Sequence, residues 1–103
     1  MAKIYQKSGH EEVLASPLAL KCFSEMGLEI ILLSLKKGET IPMHKNPVDV
    51  LFFVKKGKGE LQVEQEVYSL CESELAFVSQ TEDRSWINYQ EEPLELVVVK
   101  MLK

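Results

Sequence analysis

The chain has 103 residues, of which 46% are hydrophobic and 27% charged, and its formal net charge is −4. This is the size of one domain with an ordinary soluble surface. The acidic balance argues against nucleic acid or an anionic membrane as partner, since both draw on a basic face, and no apolar run approaches the roughly 20 residues of a membrane span.

The opening MAKIYQKSGHEE lacks the apolar core of an export signal. Cys22 and Cys71 form no Cys-x-x-Cys pair and no disulfide framework, so reduced, buried thiols in a cytoplasmic protein are expected. Residues 3–7 (KIYQK) suggest a short strand, Ser8-Gly9 a break, and residues 10–16 a helical turn or an irregular arm. His10 in that arm reads as an exposed terminal histidine rather than a metal ligand. Residues 17–26 (PLALKCFSEM) fit helix and strand periods only in part. Residues 28–35 (LEIILLSL) are branched or leucine almost throughout, which predicts a strand buried on both faces.

The second half alternates more cleanly. Residues 50–65 predict a strand, a Gly-rich turn and a second strand, joined as a hairpin, with Leu61 and Val63 on one face and Glu60, Gln62 and Glu64 on the other. Lys55, Lys56 and Lys58 at that turn read as a solvated loop tip rather than a phosphate site. Short strands follow at EVYSL, LAFVS and RSWINY, with Arg84, Trp86 and Asn88 sharing one face of the last. LELVVVKML closes the chain as a final strand. Short strands at regular spacing predict an all-β antiparallel sandwich or barrel. Residues 96–99 are apolar on both faces. One face goes to the interior, and the other needs cover from the N-terminal arm or a second subunit, so a homodimer is expected.

Gly38 is followed by five residues and then His44, with Asn46 two places on, Val50 four further and Gly57 after six more. This spacing resembles the first motif of the cupin family, G-x5-H-x-H-x3-4-E-x6-G. The second motif, G-x5-P-x-G-x2-H-x3-N, falls on Ser73, Ser79, Thr81, Arg84 and Asn88, and only the closing asparagine matches. The resemblance spans residues 28–100, after an arm and first strands in residues 1–27. It implies a single domain folded as a double-stranded β-helix, or jelly-roll barrel, over residues 1–103.

In metal-binding members of that family two histidines, a glutamate and a third histidine converge inside the barrel, a donor set suited to a first-row divalent ion. Position by position this chain offers His44, Asn46, Val50 and Arg84. Valine cannot coordinate, asparagine is a weak neutral donor, and the arginine cation repels an ion. No cofactor is therefore expected. The weaker alternative is a partial site of His44, Asn46 and Asp49, although Asp49 is one residue out of register.

What the resemblance leaves is either a lumen lined by His44, Asn46, Arg84, Trp86 and Asn88, expected to hold a small, anionic molecule without metal, or a small dimeric accessory protein. Arg84 could instead sit at the rim in water, or pair internally with Asp49, Glu82 or Asp83. Trp86 could be core, and His44 a hydrogen-bonded structural histidine. An alternative function is an isomerase- or lyase-type enzyme with His44 as general acid/base and Arg84 as oxyanion or carboxylate clamp. A metal-dependent dioxygenase or isomerase is a third and weaker reading.

Overall fold

The computed structural model describes residues 1–102, and among them ten strands and one 3₁₀ turn at Lys7–Gly9. The strands are β1 (Glu11–Ala15), β2 (Leu18–Glu25), β3 (Leu28–Leu35), β4 (Thr40–Lys45), β5 (Asp49–Lys56), β6 (Lys58–Val63), β7 (Glu66–Cys71), β8 (Leu75–Val78), β9 (Asp83–Ile87) and β10 (Leu94–Met101). They form a six-stranded sheet ordered β1-β2-β3-β10-β5-β8 and a four-stranded sheet ordered β4-β9-β6-β7. Every pairing is antiparallel. After β3 the chain changes sheet at each connection except the β6–β7 hairpin, which is the jelly-roll course. The sheets face each other without closing into a continuous barrel. Among the described residues no helix is long and apolar enough to cross a membrane.

The core lies between the sheets and is built by alternation. On β3 the inward residues Ile31, Leu33 and Leu35 are buried, and on β10 the inward residues are Leu94, Leu96 and Val98. From the smaller sheet Leu61, Leu70 and Trp86 meet them, and the Trp86 ring packs edge-on against Phe52 at 5.4 Å between centroids.

Several expectations need correction. Residues 3–7 form no strand, and the segment read as a helical turn or irregular arm is strand β1, paired with β2. The ambiguity of residues 17–26 has a physical cause. A bulge between Lys21 and Phe23 inserts an extra residue into β2, so the side-chain alternation changes phase in mid-strand. Strand β3 is buried on one face only, since Ile30, Leu32 and Ser34 on the other are half-buried.

The expected hairpin at Gly57 is also absent: β5 and β6 lie in different sheets, and the chain passes from one to the other between them. Gly57 makes the passage at φ +87°, where a Cβ would stand 2.5 Å from the Pro93 carbonyl oxygen. Only glycine fits that conformation against that backbone.

The outer face of the large sheet carries two aligned apolar rows. Leu20, Leu32, Val97, Phe53 and Leu75 are register partners in succession across five strands. Phe23, Ile30, Val99, Leu51 and Phe77 form the second row. The N-terminal arm reaches only the margin of this face, where Tyr5 packs edge-on against Phe23 at 4.9 Å and Lys3 pairs with Glu25 at 2.9 Å.

Candidate functional site

Register on the small sheet brings the candidate residues together. His44 on β4 lies directly opposite Arg84 on β9, and Ile41 opposite Trp86. Because side chains alternate, Arg84 and Trp86 both enter the space between the sheets, where each is 1% exposed. There they line a cavity of about 190 Å³ together with His44 and Asn46, against apolar walls that include Ile31 and Phe52.

Arg84 is therefore neither at the rim nor in water. Its Nε donates to the Glu82 carbonyl at 3.2 Å, and its Nη2 donates to the carbonyls of Ser79 at 3.0 Å and Glu82 at 3.1 Å. Nη1 is buried and has no partner among the described residues. No carboxylate among them ion-pairs with it. The three acids considered as partners are engaged elsewhere or point away: Asp49 Oδ1 accepts from the Gln80 amide at 2.8 Å, Glu82 Oε1 accepts from the Ser79 amide at 3.0 Å, and Asp83 alternates with Arg84 along β9. Burial pulls the Arg84 pKa below its ordinary value, opposed by the nearby charges of Glu82 and Asp83. The loop between β8 and β9 thus holds the guanidinium by carbonyl dipoles alone and leaves one edge free.

Trp86 has the same property. Its Nε1–H is buried without a partner among the described residues, and the residue lines the same cavity. Two orphaned donors each carry a desolvation cost of about 1–3 kcal/mol, so two of them in one apolar cavity mark a place that an acceptor would complete.

His44 sits at the exposed mouth. Its Nδ1–H donates to the Pro42 carbonyl at 2.9 Å, a geometry that leaves the Nε2 lone pair free. The partner is a neutral carbonyl of its own strand, which orients the ring. Asn46 is half-buried at the same mouth.

Asn88 belongs elsewhere. It shares the face of Arg84 and Trp86 and is 0% exposed, but it is not among the residues lining the cavity. Its Nδ2 donates to the carbonyls of Leu35 at 3.0 Å and Glu92 at 2.9 Å, and its Oδ1 accepts from the Gln90 amide at 2.8 Å. Its backbone completes the knot: Gly38 N–H donates to its carbonyl at 2.7 Å, and its own N–H to the Glu39 carbonyl at 3.2 Å. The asparagine expected in the lumen is a clamp that ties the end of β3, the start of β4 and the β9–β10 loop.

The residues present do not fit a transition metal. Val50, at the glutamate position of the family pattern, is 0% exposed in the core. Asp49 points to the opposite face, which removes it from the partial site with His44 and Asn46. Among the described residues no three His, Cys, Asp or Glu side chains converge, and the cationic Arg84 fills the position of the third histidine.

A larger concavity of about 520 Å³ opens between β7 and β8 and is lined by Tyr68, Phe77, Glu74 and Glu82 among others. It presents no buried orphaned donor among the described residues, so the smaller lumen is the stronger candidate. Lys100, which sequence reasoning passed over, lines that lumen as well. Its signal was available, because Lys100 continues the two-residue period of Leu94, Leu96 and Val98.

The family described as Cupin domain matches residues 31–100. No curated protein matches the chain. Among solved structures, the chain is similar to one described as a predicted oxalate decarboxylase from Thermotoga maritima, with 15% identity, 98% of this chain and 100% of that one covered, and a TM-score of 0.84. It is similar to a cupin family protein with a double-stranded β-helix fold from Methanocaldococcus jannaschii, at 24% identity, 90% and 88% coverage and a TM-score of 0.75. A third is a cupin domain from Schizosaccharomyces pombe, at 16% identity and a TM-score of 0.79, covering 84% of this chain but 64% of that one, slightly less than two thirds of its length. At these identities the likeness speaks to the fold alone.

Proposed function

This chain belongs to the cupin family, and we propose that it is a metal-independent binding protein whose lumen holds a small carboxylate on Arg84. One observation carries the reading: Arg84 Nη1 and Trp86 Nε1 are both buried and lack partners among the described residues, and both residues line the same cavity. A carboxylate offers two acceptor oxygens to two waiting donors, and a charge-assisted bond to guanidinium is among the stronger kinds. The cavity corresponds to about six water volumes at roughly 30 Å³ each, so the ligand is smaller than a drug-sized molecule. A thermal-shift screen of C2–C6 carboxylates and of neutral amides of the same shape tests this. Carboxylates raise the melting temperature and the amides do not; equal shifts for both, or none for either, would sink the idea.

An enzyme of isomerase or lyase type remains the second reading, because the free Nε2 of His44 stands at the mouth of this lumen. Among the described residues no carboxylate hydrogen-bonds that ring to orient it, which favours binding over proton transfer.

The partner that suits the outer sheet face is a second copy of the chain. Strands β3, β5 and β10 are each eight residues long. Four strands of eight residues and the four-residue β8 present a face of roughly 450 Å² per copy, taking about 4.8 Å between strands and 3.4 Å per residue. Two such faces bury about 900 Å², just under the roughly 1,000 Å² expected of a specific interface. Two aligned apolar rows are self-complementary under a two-fold axis, and a patch of that size is among the larger ones a monomer leaves in water. In sedimentation velocity the wild type is expected to run as a dimer. Val97→Lys, at the centre of one row, is expected to run as a monomer that still binds carboxylate. A wild type that stays monomeric at high micromolar concentration removes the dimer.

A further inference from the structure

We propose that Lys100 is a second ligand anchor, and that the carboxylate bound in the lumen is a short dicarboxylate. The inference rests on the carboxylate reading above and adds the other end of the ligand. Lys100 lies on the inward face of β10, with register partners Glu29 on β3 and Val50 on β5. Val50 stands where the family pattern places a glutamate, so the acid that would have faced this lysine is missing. Glu29 is the acid that remains. It sits nearer Lys21, at 3.3 Å, than Lys100, at 3.9 Å. One carboxylate shared unequally between two ammonium groups leaves Lys100 under-paired. Its side chain is 26% exposed, partly removed from water yet open to the lumen.

Arg84 lines the same cavity, and its Nη1 has no partner among the described residues. The cavity lining carries a surplus of two positive charges, those of Arg84 and Lys100, with no carboxylate among the lining residues, in a chain whose formal net charge is −4. A dianion balances that surplus; a monoanion leaves half of it. Between the two cations the walls are apolar, with Ile31, Leu33, Phe52 and Val98 on the large sheet. Those walls favour a hydrocarbon spacer over the polar body of a sugar or a phosphate ester. One carboxylate sits on Arg84 and Trp86, a short methylene chain crosses the walls, and the second carboxylate replaces Glu29 as the partner of Lys100.

Isothermal titration calorimetry separates these roles, using malonate, succinate and glutarate beside propionate, butyrate and valerate, with inorganic phosphate as a further arm. The best dicarboxylate is expected to bind about tenfold more tightly than the monocarboxylate of equal carbon count plus or minus one. Lys100→Met keeps the apolar stem and is expected to erase that gap while monocarboxylate binding persists. Glu29→Gln frees Lys100 from its competitor and is expected to widen the gap. Equal affinity for the two series, a gap that survives Lys100→Met, or tighter binding of phosphate overturns the dicarboxylate assignment and leaves Arg84 as sole anchor. Absence of binding in both series overturns the carboxylate reading itself.

Discussion

Asn88→Ala is expected to cost about 3–5 kcal/mol of folding stability, against a total of about 5–15 kcal/mol for a domain of this kind. The side chain makes three hydrogen bonds from a fully buried position: two donated to the carbonyls of Leu35 and Glu92, and one accepted from the Gln90 amide. Alanine leaves three polar backbone groups without their partner, each at roughly 1–3 kcal/mol when it stays dry. The surrounding backbone relaxes in part, which keeps the total below the simple sum. Asn88→Asp is expected to be about as damaging, because it sets a carboxylate oxygen against two carbonyl oxygens where Nδ2 donated. Urea denaturation checks both variants. A loss below about 1 kcal/mol for Asn88→Ala shows that water replaces the clamp.

Arg84→Met is expected to behave in the opposite way, with a small effect on the empty protein and a large one on binding. Removing a guanidinium that is buried without an ionic partner relieves a desolvation cost, while the Ser79 and Glu82 carbonyls lose their donor. These terms oppose each other, and the unfolding free energy of the empty protein is expected to move by no more than about 1 kcal/mol. Carboxylate affinity is expected to fall on the order of a hundredfold, the usual scale for removing one partner of a buried, charge-assisted pair. Arg84→Lys keeps the charge but loses the fork and is expected to lie between. Denaturation and calorimetry on the same preparations provide the check. Large destabilisation with unchanged affinity makes Arg84 a structural group and ends its role as anchor.

The contrast between Asn88 and Arg84 shows where sequence reasoning reached and where it stopped. Period-two alternation put both on one face with Trp86, and all three are buried. Alternation cannot tell a satisfied amide from an unsatisfied guanidinium. The partners of Asn88 come from Leu35, far away in sequence, and from the β9–β10 loop, whereas Nη1 of Arg84 is defined by the partner it lacks among the described residues. Gly57 teaches the same lesson. Its position between two strands reads as a hairpin, yet its partner in space is Pro93, and the strands part into different sheets.

By itself the sequence determined the all-β class, most strands after residue 28, the family pattern and the lost ligand positions. Those depend on local period, turn residues and spacing, which one chain displays in order. The tertiary structure alone decided that β1 is a strand and that β2 is bulged. It separated the satisfied Asn88 from the unsatisfied Arg84, placed Lys100 and Arg84 in the lining of one cavity, and aligned two apolar rows over five strands. Each of these depends on which distant backbone stands opposite, and strand register is a long-range property that no local pattern encodes.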